Sequence, residues 1–330
     1  MTQILTDSFG REHQYLRISL TEKCNLRCTY CMPSDGVVLS PKDHLMTADE
    51  VITLAKLFVE NGVNKIRLTG GEPLLRKDFD DILLRLSDLD IELSLTTNGI
   101  LVDRHLETFK ASNIDTVNLS LDTLRPEKFK LITLRDQFKK ASENIDLLLN
   151  EGFNVKINVV LISGFNDDEI IDFINLTCER NIQVRFIEFM PFLGNRWDRS
   201  KLVSEQFILD EVYAAFSNST RLPEPRNLIS RDYKIDGYLG SFGIISTMTN
   251  PFCDGCNRIR LTANGKLKNC LFSQSETDLL TPYRNGEDIL PVIQKAIWAK
   301  RAKRAGMDTF ETMTDPKYFE QNRSMITIGG

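Results

Sequence analysis

Through about residue 190 the chain alternates short apolar runs with longer stretches in which apolar residues recur every three or four positions. The short runs, Tyr15–Leu20, Lys65–Thr69, Glu92–Thr96, Thr116–Ser120, Lys156–Leu161 and Gln183–Phe189, have the length and composition of strands. The longer stretches predict helices. One opens at Thr47, where Thr47 and Glu50 make a capping-box pair ahead of Val51, Leu54, Ala55, Leu57 and Phe58. Others fit near Phe79–Leu89, Arg104–Ala111, Phe138–Asn150 and Asp168–Arg180. Six β–α repeats in succession imply a parallel sheet, two units short of a closed eight-fold barrel. An open partial barrel and a doubly wound sheet both satisfy this pattern. From Pro191 the repeat breaks down, and the segments around Pro223-Glu224-Pro225 and Pro251 read as loops.

The unusual residues follow the strands. Cys24–Cys31 comes after the first run, Gly70-Gly71-Glu72-Pro73 after the second and Thr97-Asn98-Gly99 after the third. Ser120-Leu121-Asp122 ends the fourth and Met190 follows the sixth. Parallel α/β sheets bind ligands at the carboxyl ends of their strands, which places all of these on one expected rim.

A chain of 330 residues with 42% hydrophobic residues builds a core without disulfides. Seven cysteines is an odd count, and six of them fall in two tight groups, the pattern of metal ligands in a reducing compartment. Met1–Gly10 has no secretory pattern and no stretch is apolar enough to span a membrane, so the cytoplasm is the expected location. A formal net charge of −5 provides no bulk attraction for nucleic acid. An anionic substrate remains open, because a few local Arg and Lys residues suffice to bind phosphate. His13, His44 and His105 form no ligand pair.

Cys24, Cys28 and Cys31 are spaced Cys-x3-Cys-x2-Cys, with Tyr30 before the last and Pro33 after it. A 4Fe–4S cluster takes four ligands, so three thiolates leave one iron open to a substrate or cofactor. Zinc is the alternative, although zinc sites usually gather four Cys or His ligands in pairs. Cys253-Asp254-Gly255-Cys256, with Cys270 further on, is a second trio with the same two readings. Cys178, flanked by Ile174, Leu176 and Thr177, is expected to be a buried thiol in the middle of a helix. Between Cys256 and Cys270, alternation puts Arg258 and Arg260 on one face of an extended segment, a paired-guanidinium arrangement suited to phosphate.

The first trio resembles the signature of the radical S-adenosylmethionine enzymes. Longer stretches resemble one family within them, the molybdenum cofactor biosynthesis protein A family or GTP 3′,8-cyclases. These are Phe9-Gly10-Arg11, Tyr15–Ser19 running on to Met32-Pro33, Lys65–Arg76, Phe186–Pro191, Cys253–Thr262 and the terminal Gly329-Gly330. The resemblance implies an incomplete (β/α)6 TIM-type barrel over residues 1–190, and a C-terminal extension over 191–330 with a second iron–sulfur cluster and GTP-binding residues.

It also implies site residues and cofactors. Cys24, Cys28 and Cys31 would hold one 4Fe–4S cluster, and Cys253, Cys256 and Cys270 a second. S-adenosyl-L-methionine would lie against Tyr30, Gly70, Gly71, Glu72, Ser120 and Met190. GTP would meet Arg17, Lys65, Arg67, Thr96, Lys156, Arg258 and Arg260, with Arg17, Arg258 and Arg260 in catalytic roles. The reaction would be a lyase step forming 3′,8-cyclo-7,8-dihydro-GTP through a 5′-deoxyadenosyl radical. Its product would pass to a cyclic pyranopterin monophosphate synthase, and flavodoxin or ferredoxin would donate electrons to a monomer or homodimer. The diglycine end would enter the active site. Competing expectations are a peptide-modifying radical maturase, which would carry more C-terminal cysteines, and a zinc-bearing nucleic-acid-binding protein, which the charge disfavours.

Overall fold

The apolar runs form the centre of one long sheet. The computed structural model describes residues 4–32, 36–114, 116–223, 227, 229–320 and 322–329, so Pro33 and Gly330 lie outside it, as do Glu224 and Pro225. Strands β1 (Tyr15–Ser19), β2 (Lys65–Thr69), β3 (Glu92–Thr97), β4 (Thr116–Ser120), β5 (Asn154–Leu161) and β6 (Ile182–Glu188) lie side by side in sequence order, all parallel. A doubly wound sheet would reverse its strand order at a switch point. This order runs straight through, as a barrel wall does.

The region beyond residue 190 extends the wall at both edges. Its strands are β7 (Ser219–Arg221), β8 (Arg231–Ile235), β9 (Ser241–Ile245), β10 (Arg258–Leu261), β11 (Lys266–Lys268) and β12 (Thr277–Asp278). β10 pairs parallel with β1 and β9 pairs parallel with β6, while the outer strands are antiparallel. The order is β12-β11-β10-β1-β2-β3-β4-β5-β6-β9-β8-β7. Among the described residues β9 and β10 do not meet, so the barrel stays open, with a C-terminal extension on each side.

Between the parallel strands lie α1 (Ala48–Glu60), α2 (Phe79–Ser87), α3 (Val102–Ala111), α4 (Pro126–Thr133), α5 (Phe138–Asn150) and α6 (Ile170–Asn175). After β6 come α7 (Glu205–Ala215), α8 (Leu280–Arg284), α9 (Leu290–Trp298) and three short helices at 310–314, 316–319 and 325–328. Among the described residues no helix is long and apolar enough to cross a membrane. Thr47 caps α1 as expected: its backbone N–H donates to Glu50 Oε2 at 2.8 Å, and Glu50 N donates back to Thr47 Oγ1 at 3.2 Å. Alternation divides each strand between two environments. Leu16 and Ile18 of β1 and Ile66 and Leu68 of β2 enter the core shared with the helices. Arg17 and Arg67, one residue out of step, face a cavity on the concave side.

Two local expectations are corrected. The helix expected over 168–180 stops at Asn175, because the carbonyls of Thr177 and Cys178 accept hydrogen bonds from Gly240 and Leu239 instead. Cys178 therefore sits in a turn, half-buried, and not in mid-helix. The sequence pattern also missed α4, where exposed Leu131, and exposed Leu134 just past the helix end, blur the apolar stripe made by Phe129 and Ile132.

The α6–β6 contact is typical of the core: Phe173 stands edge-on to Phe186, with ring centroids 6.3 Å apart at 87°, and both rings are fully buried. Phe173→Ala is expected to cost about 3–5 kcal/mol. The check is a urea unfolding curve, whose midpoint falls while its slope is unchanged.

Candidate active site

The first cysteine loop leaves the carboxyl end of β1 and lies directly on the glycines after β2. Gly71 N donates to Thr21 O and Glu72 N to Lys23 O, each at 2.7 Å. A Cβ on Gly71 would sit 2.3 Å from Lys23 O, so glycine is required by the approach of chain to chain. Cys24, Cys28 and Cys31 line the cavity. Burial, with Glu72 adding for the first and Cys24 for the second, pushes the Cys24 thiol up to about 11 and the Cys31 thiol to about 12. Burial and then Cys31 raise Cys28 as well. The donors nearest Cys24 Sγ are neutral, Leu26 N at 3.4 Å and Asn98 Nδ2 at 3.9 Å. Such thiols ionise when a metal takes up their charge. Among the described residues no three Cys, His, Asp or Glu side chains close around a single ion. An all-sulfur trio facing a cavity instead fits the corners of a cluster.

Beside the trio, Tyr30 donates from its hydroxyl to Asp122 Oδ2 at 2.7 Å, and Val160 N holds Asp122 Oδ1 at 2.9 Å. Burial pushes Asp122 up to about 6. Gly70, Ser120 and Met190 also line the cavity, and Asn195 Nδ2 fixes the Met190 carbonyl at 2.7 Å. Glu72 is turned away. Its carboxylate accepts from Leu74 N at 3.1 Å, and from Thr97 Oγ1 and Asn98 N at 2.8 Å each, and burial pushes it up to about 7.

Deeper in the cavity stand five guanidiniums, Arg17, Arg67, Arg185, Arg258 and Arg260. Strand register gathers them: Arg17 is directly opposite both Arg67 and Arg260. Their hydrogen-bond partners include a hydroxyl, an amide and a backbone carbonyl: Ser94 Oγ for Arg67 at 3.3 Å, Asn118 Oδ1 for Arg185 and Gly329 O for Arg260. Among the described residues Nε of Arg17 and of Arg185 has no hydrogen-bond partner. Burial, and then Arg67, hold Arg185 down to about 9. Burial brings Arg17 to about 10, with Tyr15 opposing and Arg67 and Arg258 adding, and burial and then Arg17 push Arg260 well below the usual range. Burial alone would raise the Tyr15 phenol, but Arg67, Arg17 and Lys65 outweigh it and bring it to about 8. The five arginines thus occupy the inside of the wall, because each lies within a strand and points inward.

Thr96 lines the same cavity, whereas Lys65 and Lys156 do not. Lys65 pairs with Glu92 and lies 5.3 Å from the Tyr15 ring. Lys156 is lowered by burial and then by Arg185.

Cys253, Cys256 and Cys270 stand behind the cavity wall, while their neighbours Phe252, Arg258 and Leu271 line it. Cys256 Sγ accepts from Lys300 Nζ at 3.4 Å and Arg258 Nη2 at 3.6 Å. Burial would raise this thiol, yet Arg258 and Lys300 carry it down to about 6. The C-terminal tail does enter the cavity. Met325 lines it, Ile328 is buried in a second core with Phe192 and Phe272, and Gly329 O accepts from Arg260 Nη1.

The sequence reasoning missed Arg185 and Asn195, and it placed Asn98 and Asp122 on the expected rim without giving either a role. For Arg185 a signal existed: it is a charge inside the apolar run Val184-Arg185-Phe186-Ile187, which a barrel strand tolerates only on its inner face.

Residues 18–177 match the radical SAM superfamily model, and residues 182–306 match the model described as Molybdenum Cofactor Synthesis C. The chain is 47% identical to GTP 3′,8-cyclase, mitochondrial, of Arabidopsis thaliana, across 100% of this chain and 84% of that protein. It is 42% identical to GTP 3′,8-cyclase of Peptoclostridium acidaminophilum, across 99% and 98%. It is also 47% identical to molybdenum cofactor biosynthesis protein 1 of Mus musculus, of whose length it spans about half, 51%. The solved structure of Streptococcus suis SuiB bound to S-adenosylmethionine shares the fold, with a TM-score of 0.61 and 17% identity over 87% of this chain and 68% of SuiB. Two family models in succession and full-length relatives place this chain in the GTP 3′,8-cyclase family of the radical SAM superfamily.

Proposed function

We propose that the chain is a GTP 3′,8-cyclase of molybdenum cofactor biosynthesis, a lyase that converts GTP to 3′,8-cyclo-7,8-dihydro-GTP. The observation that carries this reading is a single cavity with a thiol trio at one end and five guanidiniums within it. A nucleoside triphosphate has the charge to satisfy that many cations, and a peptide substrate does not need them. In this reading residues 1–190 are the radical SAM core, and residues 191–330 carry the second cluster and the GTP contacts Arg258 and Arg260.

Cys24, Cys28 and Cys31 hold one 4Fe–4S cluster, and Cys253, Cys256 and Cys270 hold the other. When bound, the first cluster and S-adenosyl-L-methionine would supply radical chemistry for hydrogen abstraction. Gly70, Gly71, Ser120, Met190 and Tyr30 position S-adenosyl-L-methionine, with Asp122 fixing the Tyr30 hydroxyl and Glu72 shaping the glycine loop from behind. Arg67, Arg185 and Thr96 receive the nucleotide, and Lys65 and Lys156 add positive field from behind. Arg17, Arg258 and Arg260 orient the reacting end. The tail at Gly329 narrows the space and excludes water from it. The enzyme draws electrons from a flavodoxin or ferredoxin, hands its product to a cyclic pyranopterin monophosphate synthase, and works in the reducing cytoplasm.

Anaerobic turnover with GTP deuterated at C3′ tests the reaction. Deuterium is expected in 5′-deoxyadenosine and only when GTP is present. Deoxyadenosine free of deuterium would overturn the cyclase reading while keeping the superfamily.

Arg185→Met tests the anion site. Removing one of several repelling, desolvated cations is expected to leave the free protein as stable or more stable, by on the order of 1 kcal/mol. Loss of a charge-assisted hydrogen bond, about 1.5–3 kcal/mol, weakens GTP or inorganic triphosphate roughly ten- to a hundredfold. Thermal melting with and without triphosphate reads both effects.

A further inference from the structure

Phe9-Gly10-Arg11 and the chain after α9 hold residues for which the reaction above has no use. Arg11 is anchored by Nε on Asp7 Oδ2 at 2.6 Å. Its Nη1 donates to Cys253 O at 3.0 Å and to Ala302 O at 2.7 Å, and its Nη2 to Arg301 O at 2.8 Å. Arg11 therefore ties the first cysteine of the second trio to the segment after α9. That segment presents Lys300, which is 3% exposed. Lys300 Nζ donates to Cys256 Sγ at 3.4 Å and to Arg258 O at 3.0 Å. A third tie completes the set, since Asn269, next to Cys270, donates from Nδ2 to Ala296 O in α9 at 2.7 Å. All three stretches bearing the second trio are gripped by one short piece of chain and the N-terminal hook.

The acceptors of Lys300 are a sulfur and a carbonyl. A buried ammonium without a carboxylate is costly unless negative charge is close by, and the sulfurs of this trio are where such charge would reside. Arg258 adds a second cation, its Nη2 lying 3.6 Å from the same sulfur. At the first trio the donors to Cys24 Sγ are a backbone N–H and an amide, both neutral. Positive charge and hydrogen bonds at a cluster sulfur favour the reduced, more negative state of the cluster and so raise its potential.

We propose that Lys300, held in place by the Arg11 clamp, is a positioning residue that supplies the counter-charge to the second 4Fe–4S cluster at Cys256 and raises its reduction potential. This rests on the reading of Cys253, Cys256 and Cys270 as cluster ligands. Lys300→Met removes the charge at similar volume, Lys300→Arg keeps it, and Arg11→Met loosens the clamp with Lys300 in place.

The experiment is an anaerobic redox titration of the reconstituted full-length chain followed by electron paramagnetic resonance, with iron counted in each preparation. The first cluster, identified by its response to S-adenosyl-L-methionine, serves as internal reference. Lys300→Met is expected to shift the reduction equilibrium of the second cluster about tenfold against reduction, which is about 59 mV for a one-electron couple. Lys300→Arg should stay near the unmodified protein, and the first cluster should not move. A Lys300→Met protein with both clusters and an unchanged second potential overturns the proposal and leaves the cluster assignment intact. If Lys300→Met fails to hold the second cluster, Arg11→Met decides: a smaller shift in the same direction supports the proposal, and none overturns it. An unmodified chain holding one cluster only would overturn the assignment itself.

Discussion

Five guanidiniums inside one sheet repel one another, and much of the rest of the structure exists to keep them there. A pair of unit charges at about 4 Å and an effective dielectric of about 20 interacts by about 4 kcal/mol, so like charges gathered on adjacent strands cost the fold free energy. Three features offset it. The opposite face of the same strands buries Leu16, Ile18, Ile66, Leu68 and their neighbours in one continuous core. Parallel register fixes where each cation stands, with Arg17 between Arg67 and Arg260. Neutral acceptors, among them the Gly329 carbonyl, take part of the hydrogen-bonding demand without cancelling the charge. The cations remain available, and a polyanion entering the cavity finds sites already desolvated.

The local features of this design were legible in the sequence because they depend on near neighbours. All six parallel strands appear in the apolar alternation within two residues of their observed ends, and the Thr47–Glu50 cap forms as its spacing requires. Cys24, Cys28 and Cys31 come from one loop, so their place together on the cavity wall was legible from their spacing. Even the tail was legible, through resemblance: its last described residue does meet Arg260.

What stayed hidden depends on pairing across long stretches of chain. Nothing local to Arg258–Leu261 says that it will lie beside β1, or that Ser241–Ile245 will lie beside β6. The placement of Arg258 and Arg260 inside the wall, beside Arg17, follows from that pairing. Arg185 was passed over for a related reason: a strand pattern assigns apolar neighbours to a core but does not say that the other face is a charged cavity. Helix α6 ends early because the carbonyls just past it, of Thr177 and Cys178, are claimed by Gly240 and Leu239, more than 60 residues away.

The same long-range pairing explains why the two halves of the chain form one site. β10 and β9 close on opposite edges of the six-stranded wall, so the C-terminal region reaches the cavity from both sides. From one edge it supplies Arg258 and Arg260, with the second cysteine trio immediately behind them. From the chain end it supplies Met325 and Gly329, which approach the Gly70-Gly71 turn and the first trio. A Cβ at Gly329 would lie 2.6 Å from Thr69 Oγ1, so the tail fits there only as bare backbone. Residues of both regions line the same cavity. The site therefore exists only once both regions have folded onto each other.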